Sequence, residues 1–532
     1  MKPPRSSLRG CLKVGRIILN PPGLDVSAPS ERRVRDNAPY LLRRAIKLGA
    51  GLGGLLLVLG GCAVGPNFVR PAAPETDTYT RDLPAAIKST TDNPAPRFTP
   101  GAAVAADWWR LFQSPGLDAE VRQALAHSPT LQAAEASLRQ SQDNLRAGHG
   151  IFYPQAEVGL DARRERTAPS QQGLATSGSV FNVFTLSGTI SYALDVFGGE
   201  RRAVEGLQAQ ADYQRYLTQA AGLTLTANVV NTSIARAAYA AEIRATEQMI
   251  ELENQQLHLT EALVNSGTAT YANLLSLRSL IAANQALLAP LRQRYGEAGN
   301  LLATLEGVTP AEATLPDIDL NALALPSDLP VSLPSDLVRQ RPDILSAEAQ
   351  LHGASAGIGV ATAAMFPSFN LSGTYGVAGP NLGSLTSGRG TFWNLGPSAN
   401  VPVFQGGRLW YGRSAAIDAY QAAQAGYRQT VLDAFAQVAD SLQALGHDAE
   451  ALQAQADSRR AANEALRLVQ AGYQSGITAY LDVLVADVQA HQATIAYLQA
   501  VAQRHQDTVG LFVALGGGWW NARRLAGDDT PP

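Results

Sequence analysis

The chain has 532 residues, a formal net charge of −3 and only two cysteines, Cys11 and Cys62. That charge excludes a broad basic surface for nucleic acid, and two cysteines exclude a disulfide framework. Lysine occurs only at Lys2, Lys13, Lys47 and Lys88, so arginine carries nearly all the positive charge, which reads as coding bias.

In chain order, the first feature is a 14-residue apolar run, Leu48 to Gly61, preceded by Arg43, Arg44 and Lys47 and closed by Cys62. It falls short of the roughly 20 apolar residues a membrane-spanning helix needs. Basic, then apolar, then small residues are the layout of a secretory signal. Leu59-Gly60-Gly61-Cys62 resembles a bacterial lipobox, in which cleavage exposes the cysteine for acylation, and Ala63 after it favours the outer membrane. The G-x-G-x-x-G spelling of residues 49–54 lies inside this run with no strand before it, which argues against a nucleotide loop. Residues 1–61 are thus an N-terminal extension and lipoprotein signal, and 62–128 an N-terminal tether and periplasmic segment.

Prolines divide the remainder. None occurs from Ser170 to Ala289 or from Val403 to Thr530, whereas Pro310, Pro316, Pro326, Pro330 and Pro334 cluster between. Proline breaks helix interiors, so the two Pro-free tracts are where long helices are expected, and 308–341 reads as a linker. The flanking parts repeat each other. SPTLQAAEASLRQ (128–140) aligns with RPDILSAEAQLHG (341–353), Tyr153-Pro154 with Phe366-Pro367, DVFGGERR (195–202) with PVFQGGRL (402–409), and NSGTATYANLL (265–275) with QSGITAYLDVL (474–484). Ordered anchors of this kind mark an internal duplication. The first repeat is 129–307, the second 342–516, and 517–532 is a C-terminal tail.

Each repeat predicts a helix of about 21 residues (130–150, 343–364), two strands, a very long helix and a shorter returning one. In FTLSGTISYALDV (184–196), Phe184, Leu186, Ile190, Tyr192, Leu194 and Val196 share one face and Thr185, Ser187, Thr189 and Ser191 the other, the period of a strand. SFNLSGTY (368–375) repeats it, and 156–164 and 392–403 supply two more. The helices step differently. Leu274, Leu277, Ile281, Asn284, Leu288, Leu291, Tyr295, Ala298, Leu302 and Leu305 recur by threes and fours. So do Leu481, Leu484, Val488, His491, Ile495, Leu498, Ala502, His505, Val509 and Phe512, a coiled-coil seam. The long helix expected over 201–263 spans on the order of 95 Å at about 1.5 Å per residue.

Four amphipathic strands raise a closure problem. In lipid every backbone group must pair, so the sheet must close, and the smallest outer-membrane barrels use about eight strands. One chain therefore cannot close a barrel alone, whereas three copies would supply twelve strands. The competing reading is a soluble sandwich on a coiled-coil stalk.

Several motifs together resemble the TolC-type outer-membrane factors, in the lipoprotein branch serving tripartite efflux pumps. They are C-x-V-G-P-N-F-x-R-P (62–71), D-W-W-R-L-F (107–112), L-D-V-F-G (194–198), L-P-S-D-L-V-R-Q-R-P-D-I (333–344), A-E-A-Q-L (347–351), F-P-S-F-N-L-S-G (366–373) and A-L-G-G-G-W (514–519). The resemblance implies an α+β membrane protein: a homotrimer whose 12-strand β-barrel, four strands per chain, continues as a long coiled-coil-like periplasmic α-barrel. It implies outer-membrane lipid around the barrel, a lipid on Cys62, and two protein partners, a periplasmic adaptor and a proton-driven inner-membrane pump of the RND type. It places adaptor docking at the helix turns, Asn265, Ser266, Gly267, Ser475 and Gly476 here. The aperture of such channels maps onto Tyr473, Gln474, Leu481, Asp482 and Asp487, with Val485 standing where an Asp is usual and Gln474 where an Arg is frequent.

No enzyme motif competes. GASAG (353–357) spells G-x-S-x-G inside a helical stretch, where no nucleophile elbow forms, and no H-E-x-x-H or paired Cys/His spacing for a metal appears. No P-loop is present, so no cofactor is expected beyond the lipid and energy must come from a partner. The sequence thus predicts a passive, weakly selective export channel for small molecules, neither enzyme nor nucleic-acid binder. Its rivals are a type I protein-secretion duct and a periplasmic coiled-coil lipoprotein without a pore.

Overall fold

Proline placement decides where the chain can run as a long helix. The computed structural model describes residues 63–80, 97–102, 104–166, 178–326 and 328–521, so Cys62, the signal and most of the C-terminal tail lie outside the described residues. From the N-terminus come β1 (Arg97–Pro100), α1 (Pro115–His127), α2 (Pro129–Gly148), β2 (Gln155–Arg166), β3 (Val180–Leu194), α3 (Gly199–Asn265) and α4 (Tyr271–Leu305). Then follow β4 (Asp328–Val331), α5 (Pro334–Gln340), α6 (Pro342–Ala363), β5 (Ser368–Gly379), β6 (Thr391–Asn400), α7 (Arg408–Gln474) and α8 (Tyr480–Ala514).

The duplication is visible as length. Helices α3 and α7 are 67 residues each, about 100 Å at 1.5 Å per residue, and α4 and α8 are 35 each. Each long helix starts where a left-handed glycine reverses the chain off the sheet, Gly198 at φ 76° and Gly407 at φ 84°. In the first repeat Asp195 completes that start, accepting backbone hydrogen bonds from Glu200 (3.1 Å) and Arg201 (2.9 Å), favourable for an acid at a helix N-terminus. Proline did not exclude helix everywhere. Pro290 sits on the exposed side inside α4, where only one backbone bond is lost.

The stretch 308–341 is not a bare linker. Its β4 pairs in parallel with β1, Phe98 opposite Leu329 and Pro100 opposite Val331, and α5 follows. Leu329, Val331, Leu337 and Val338 are buried, so the segment joins the core instead of merely connecting halves. That core gathers both repeats. Trp108, 1% exposed, stacks on Phe512 with ring centroids 5.3 Å apart, among Phe112, Leu117, Val230, Ile234, Leu302 and Leu511. The Pro-rich motif has a clear task there: buried Arg341 donates to the Ala514 carbonyl (2.7 Å), to Asp343 (2.6 Å) and to Gln437 (2.8 Å), tying the end of α8 to α6. Residues after the lipobox run along the same region, with Phe68 stacked on His352 and Arg70 paired with Glu348 at 2.6 Å.

The packing is not symmetric between repeats. Helix α6 lies between α3 and α7 and buries Ile344, Leu345, Leu351 and Ile358. Its counterpart α2 packs on α3 and buries only Ser141. Likewise α8 packs against both α7 and α3, whereas α4 packs on α3 and leaves Leu275, Leu287 and Leu301 about half exposed. One repeat is enclosed, and the other keeps an open side.

Candidate functional site

Period-2 sequence becomes a two-faced wall. Strands pair antiparallel in the order β2-β3-β5-β6, with Gly188 opposite Val158 and Tyr375, and Gly373 opposite Leu395. Alternation then puts Val158, Leu160, Leu186, Ile190, Leu371, Tyr375, Trp393 and Leu395 on one face, every one exposed, Val158 by 79% and Trp393 by 73%. The other face carries Thr185, Ser187, Thr189, Ser191, Ser372, Thr374 and Asn394, with the Thr189 and Thr374 hydroxyls 3.2 Å apart. An apolar face of this extent calls for lipid or another protein surface. The outer edges of β2 and β6, 12 and 10 residues long, are unpaired among the described residues, a template for another copy.

At the far ends of the long helices the two turns share one geometry. Gly267 (φ 78°) and Gly476 (φ 74°) take the left-handed conformation that an L side chain resists. Thr268 N–H donates to the Leu263 carbonyl at 2.9 Å and Ile477 N–H to that of Gly472 at 2.8 Å, so the last orphan carbonyls are satisfied. The predicted tip residues Asn265, Ser266, Gly267, Ser475 and Gly476 are exposed here, together with Gln474.

The predicted aperture residues separate into two groups. Leu481 is 67% exposed and lies outside the seam that its spacing implied; Tyr480 and Val483 fill those positions instead, with Tyr480 against Tyr473 at 5.3 Å. Leu481 and Val485, one helical turn apart, are both exposed and follow exposed Ile477 of the turn, so the valine in place of an acid extends an apolar stripe. Asp482 is spent on the helix start: its carboxylate accepts from the Ala479 backbone N–H at 3.1 Å.

Asp487, expected at the aperture, turns inward. It faces Glu253 of α3, 4% exposed, whose carboxyl accepts a 2.6 Å hydrogen bond from Asn284 of α4. Glu253 escaped the sequence reading; Asn284, a polar residue at a seam position, was the signal for a buried partner. Burial first, then Asp487, pushes Glu253 up to about 8, and burial also raises Asp487. Asp448 of α7, desolvated beside Asp507 of α8, is pushed up to about 7. The folded chain therefore keeps protons that the unfolded chain releases. The stability this contributes is complete below the ordinary glutamate value of 4.5 and is lost as pH rises through about 8. The melting temperature is expected to fall between about pH 4.5 and pH 8, and Glu253→Gln to remove the alkaline part of that fall. An unchanged slope in the variant would refute this assignment.

His491 and His505, expected on the seam, are both buried there. His505 lies beside the Phe112 ring and is pushed down to about 4 by burial and then by Arg504. GASAG lies within α6, and the G-x-G-x-x-G spelling lies outside the described residues.

Known proteins share this geometry. The family model for outer membrane efflux proteins matches the chain twice, over residues 121–308 and 333–517. The pyoverdine export outer membrane protein OpmQ of Pseudomonas aeruginosa is 31% identical over 78% of this chain and 88% of its own. The toluene efflux pump outer membrane protein TtgC of Pseudomonas putida is 29% identical over 89% of this chain and 97% of its own. Among solved structures, the outer-membrane channel OprN superposes with a TM-score of 0.77 at 26% identity, covering 86% of this chain and all of that one. The open-state MtrE channel of Neisseria gonorrhoeae gives 0.75 at 26%, covering 86% and 99%. Two tandem helix–sheet–hairpin repeats, an amphipathic four-stranded wall and these matches agree: the chain belongs to the outer membrane efflux protein family.

Proposed function

We propose that the chain is the outer-membrane duct of a tripartite pump, closed as a homotrimer and exporting small molecules passively. The observation that carries the proposal is the mismatch between the two repeats. Phe197, where α3 leaves the sheet, stacks on Phe366 at 4.7 Å. Their counterparts in the duplication are Phe404 and Tyr153, and these are 89% and 69% exposed. A second copy placed head to tail gives each its partner. The same placement lays α2 and α4 on the neighbour's α7 and pairs the edge of β6 with the neighbour's β2. Three copies give twelve strands, wide enough to leave a channel. The polar face of the wall then lines the channel, and the apolar face meets lipid.

In such a ring the three Ile477-Leu481-Val485 stripes suit a hydrophobic constriction at the periplasmic end, one that closes by excluding water. The exposed turns at Gly267 and Gly476 are the surface for a periplasmic adaptor, with a proton-driven inner-membrane pump behind it. Relatives named for antibiotic, toluene and pyoverdine export support small solutes over polypeptides as cargo. Acylation of Cys62 adds a tether worth about 0.8 kcal/mol per buried CH₂. Metabolic labelling with palmitate is expected to mark the chain and to vanish in Cys62→Ala, while that variant, given a cleavable signal, still trimerises.

The assembly is tested by pairing the two exposed rings. In a Tyr153→Cys/Phe404→Cys chain, a short thiol cross-linker is expected to give covalent dimers and trimers, and neither single variant should. Cross-links confined within one chain, or none in assembled protein, would overturn the head-to-tail ring.

A further inference from the structure

The α7–α8 seam changes character along its length. Toward the sheet it is apolar, with Leu442, Leu445, Ala449 and Leu452 of α7 buried against α8. Continuing the same three-four step toward the turn brings Ala456, Arg459 and Asn463, and the two helices leave a groove of about 900 Å³.

The groove is lined by four guanidinium groups, Arg459, Arg460, Arg467 and Arg504, and one carboxylate, Glu464. Two of the cations are already satisfied: Arg460 pairs with Asp457 at 3.0 Å, and Arg467 with Glu464 at 2.5 Å. The other two are arranged differently. Arg459 lies flat over the Tyr497 ring, 3.6 Å from its centroid, so it is held by a face and not by an anion. Arg504 is 3% exposed, yet its Nη2 finds no hydrogen-bond partner among the described residues. The acid beside it, Asp448, is pushed up to about 7 by burial and then by its hydrogen bond with Asp507, so it leaves Arg504 incompletely neutralised.

A buried cation with an unused donor is unfavourable unless an anion reaches it. A planar guanidinium presents parallel N–H groups matched to the two oxygens of a carboxylate or phosphate. The stacked Arg459–Tyr497 pair, lining the same groove, offers a flat apolar surface. We propose that this groove binds a small organic oxyanion, with Arg504 holding the carboxylate or phosphate and the Arg459–Tyr497 stack covering an attached aromatic body.

The inference does not depend on the direction or cargo of transport, and binding by purified full-length protein tests it directly. Calorimetric titration with 2-naphthoate, with inorganic phosphate and with neutral 2-naphthol separates the oxyanion from the aromatic part. Naphthoate and phosphate are both expected to bind saturably, naphthoate at least tenfold more tightly, and naphthol at least tenfold more weakly than naphthoate. Arg504→Gln should weaken both anions tenfold or more. Arg459→Leu should weaken naphthoate toward phosphate and leave phosphate unchanged, a pattern readable even if Arg504→Gln fails to assemble. No saturable anion binding by the unaltered protein, equal binding of naphthol and naphthoate, or loss of both anions equally in Arg459→Leu would overturn the assignment.

Discussion

Ile190→Arg is expected to leave the chain outside the membrane, whereas Thr189→Arg, one residue earlier on the same strand, inserts and changes only conductance. The two side chains lie on opposite faces of β3: Ile190 is 56% exposed on the apolar face, and Thr189 contacts Thr374 on the polar one. In a barrel the first meets hydrocarbon, where an arginine near the bilayer midplane costs about 2–4 kcal/mol per copy. A closed assembly of three copies incurs that cost three times, enough to empty the inserted state. The second meets water in the channel, where an arginine is solvated and adds only fixed charge. Density-gradient separation of outer membranes, followed by planar-bilayer recording, checks both. Equal insertion of the two variants would sink the assignment of faces, and with it the barrel.

Trp108→Ala should lose about 3–5 kcal/mol of stability, the range for removing a large buried aromatic. Trp108 stacks on Phe512 near the end of α8, and the buried cluster to which both belong draws on α1, α3, α4 and α6. The cavity therefore opens where the segment before the first repeat meets the end of the second, so the surrounding helices have little freedom to collapse into it. Trp109→Ala is the control: Trp109 is only partly buried and donates from Nε1 to Asp118 at 3.0 Å, so its loss should cost about 1 kcal/mol or a little more. Comparative thermal melting of the two purified variants decides the point. Similar shifts would mean that the Trp108–Phe512 stack does not anchor the core.

Strands, hairpins and the duplication were legible because each rests on a local period. The alternation of 184–196 placed Ile190 and Thr189 on opposite faces before any coordinates, and Gly267 and Gly476 marked the turns by their conformational freedom. Seam positions were mostly legible for the same reason. What escaped depends on chain-distant partners. Proline spacing made 308–341 look like a joint, yet β4 pairs with β1, more than 200 residues earlier. Leu481 satisfied the three-four step, but the seam shifts by one residue there because Tyr480 takes the buried place beside Tyr473. Asp487 looked like a free acid because nothing in its own helix reveals Glu253 across the interface. Local rules identify which faces exist, and only tertiary packing says which of them are already occupied.

The uninterrupted length of α3 and α7 has a mechanical consequence. Each is a single 67-residue strut from its glycine start at the sheet to the turn, with no proline along it to act as a joint. A rod about 100 Å long converts a tilt of about one degree at its root into nearly 2 Å at its tip. A partner gripping the turns thus holds the long arm of a lever. Widening the far end then needs neither unfolding nor a hinge in either long helix, only a small rotation shared among rods pivoting where the sheet holds them.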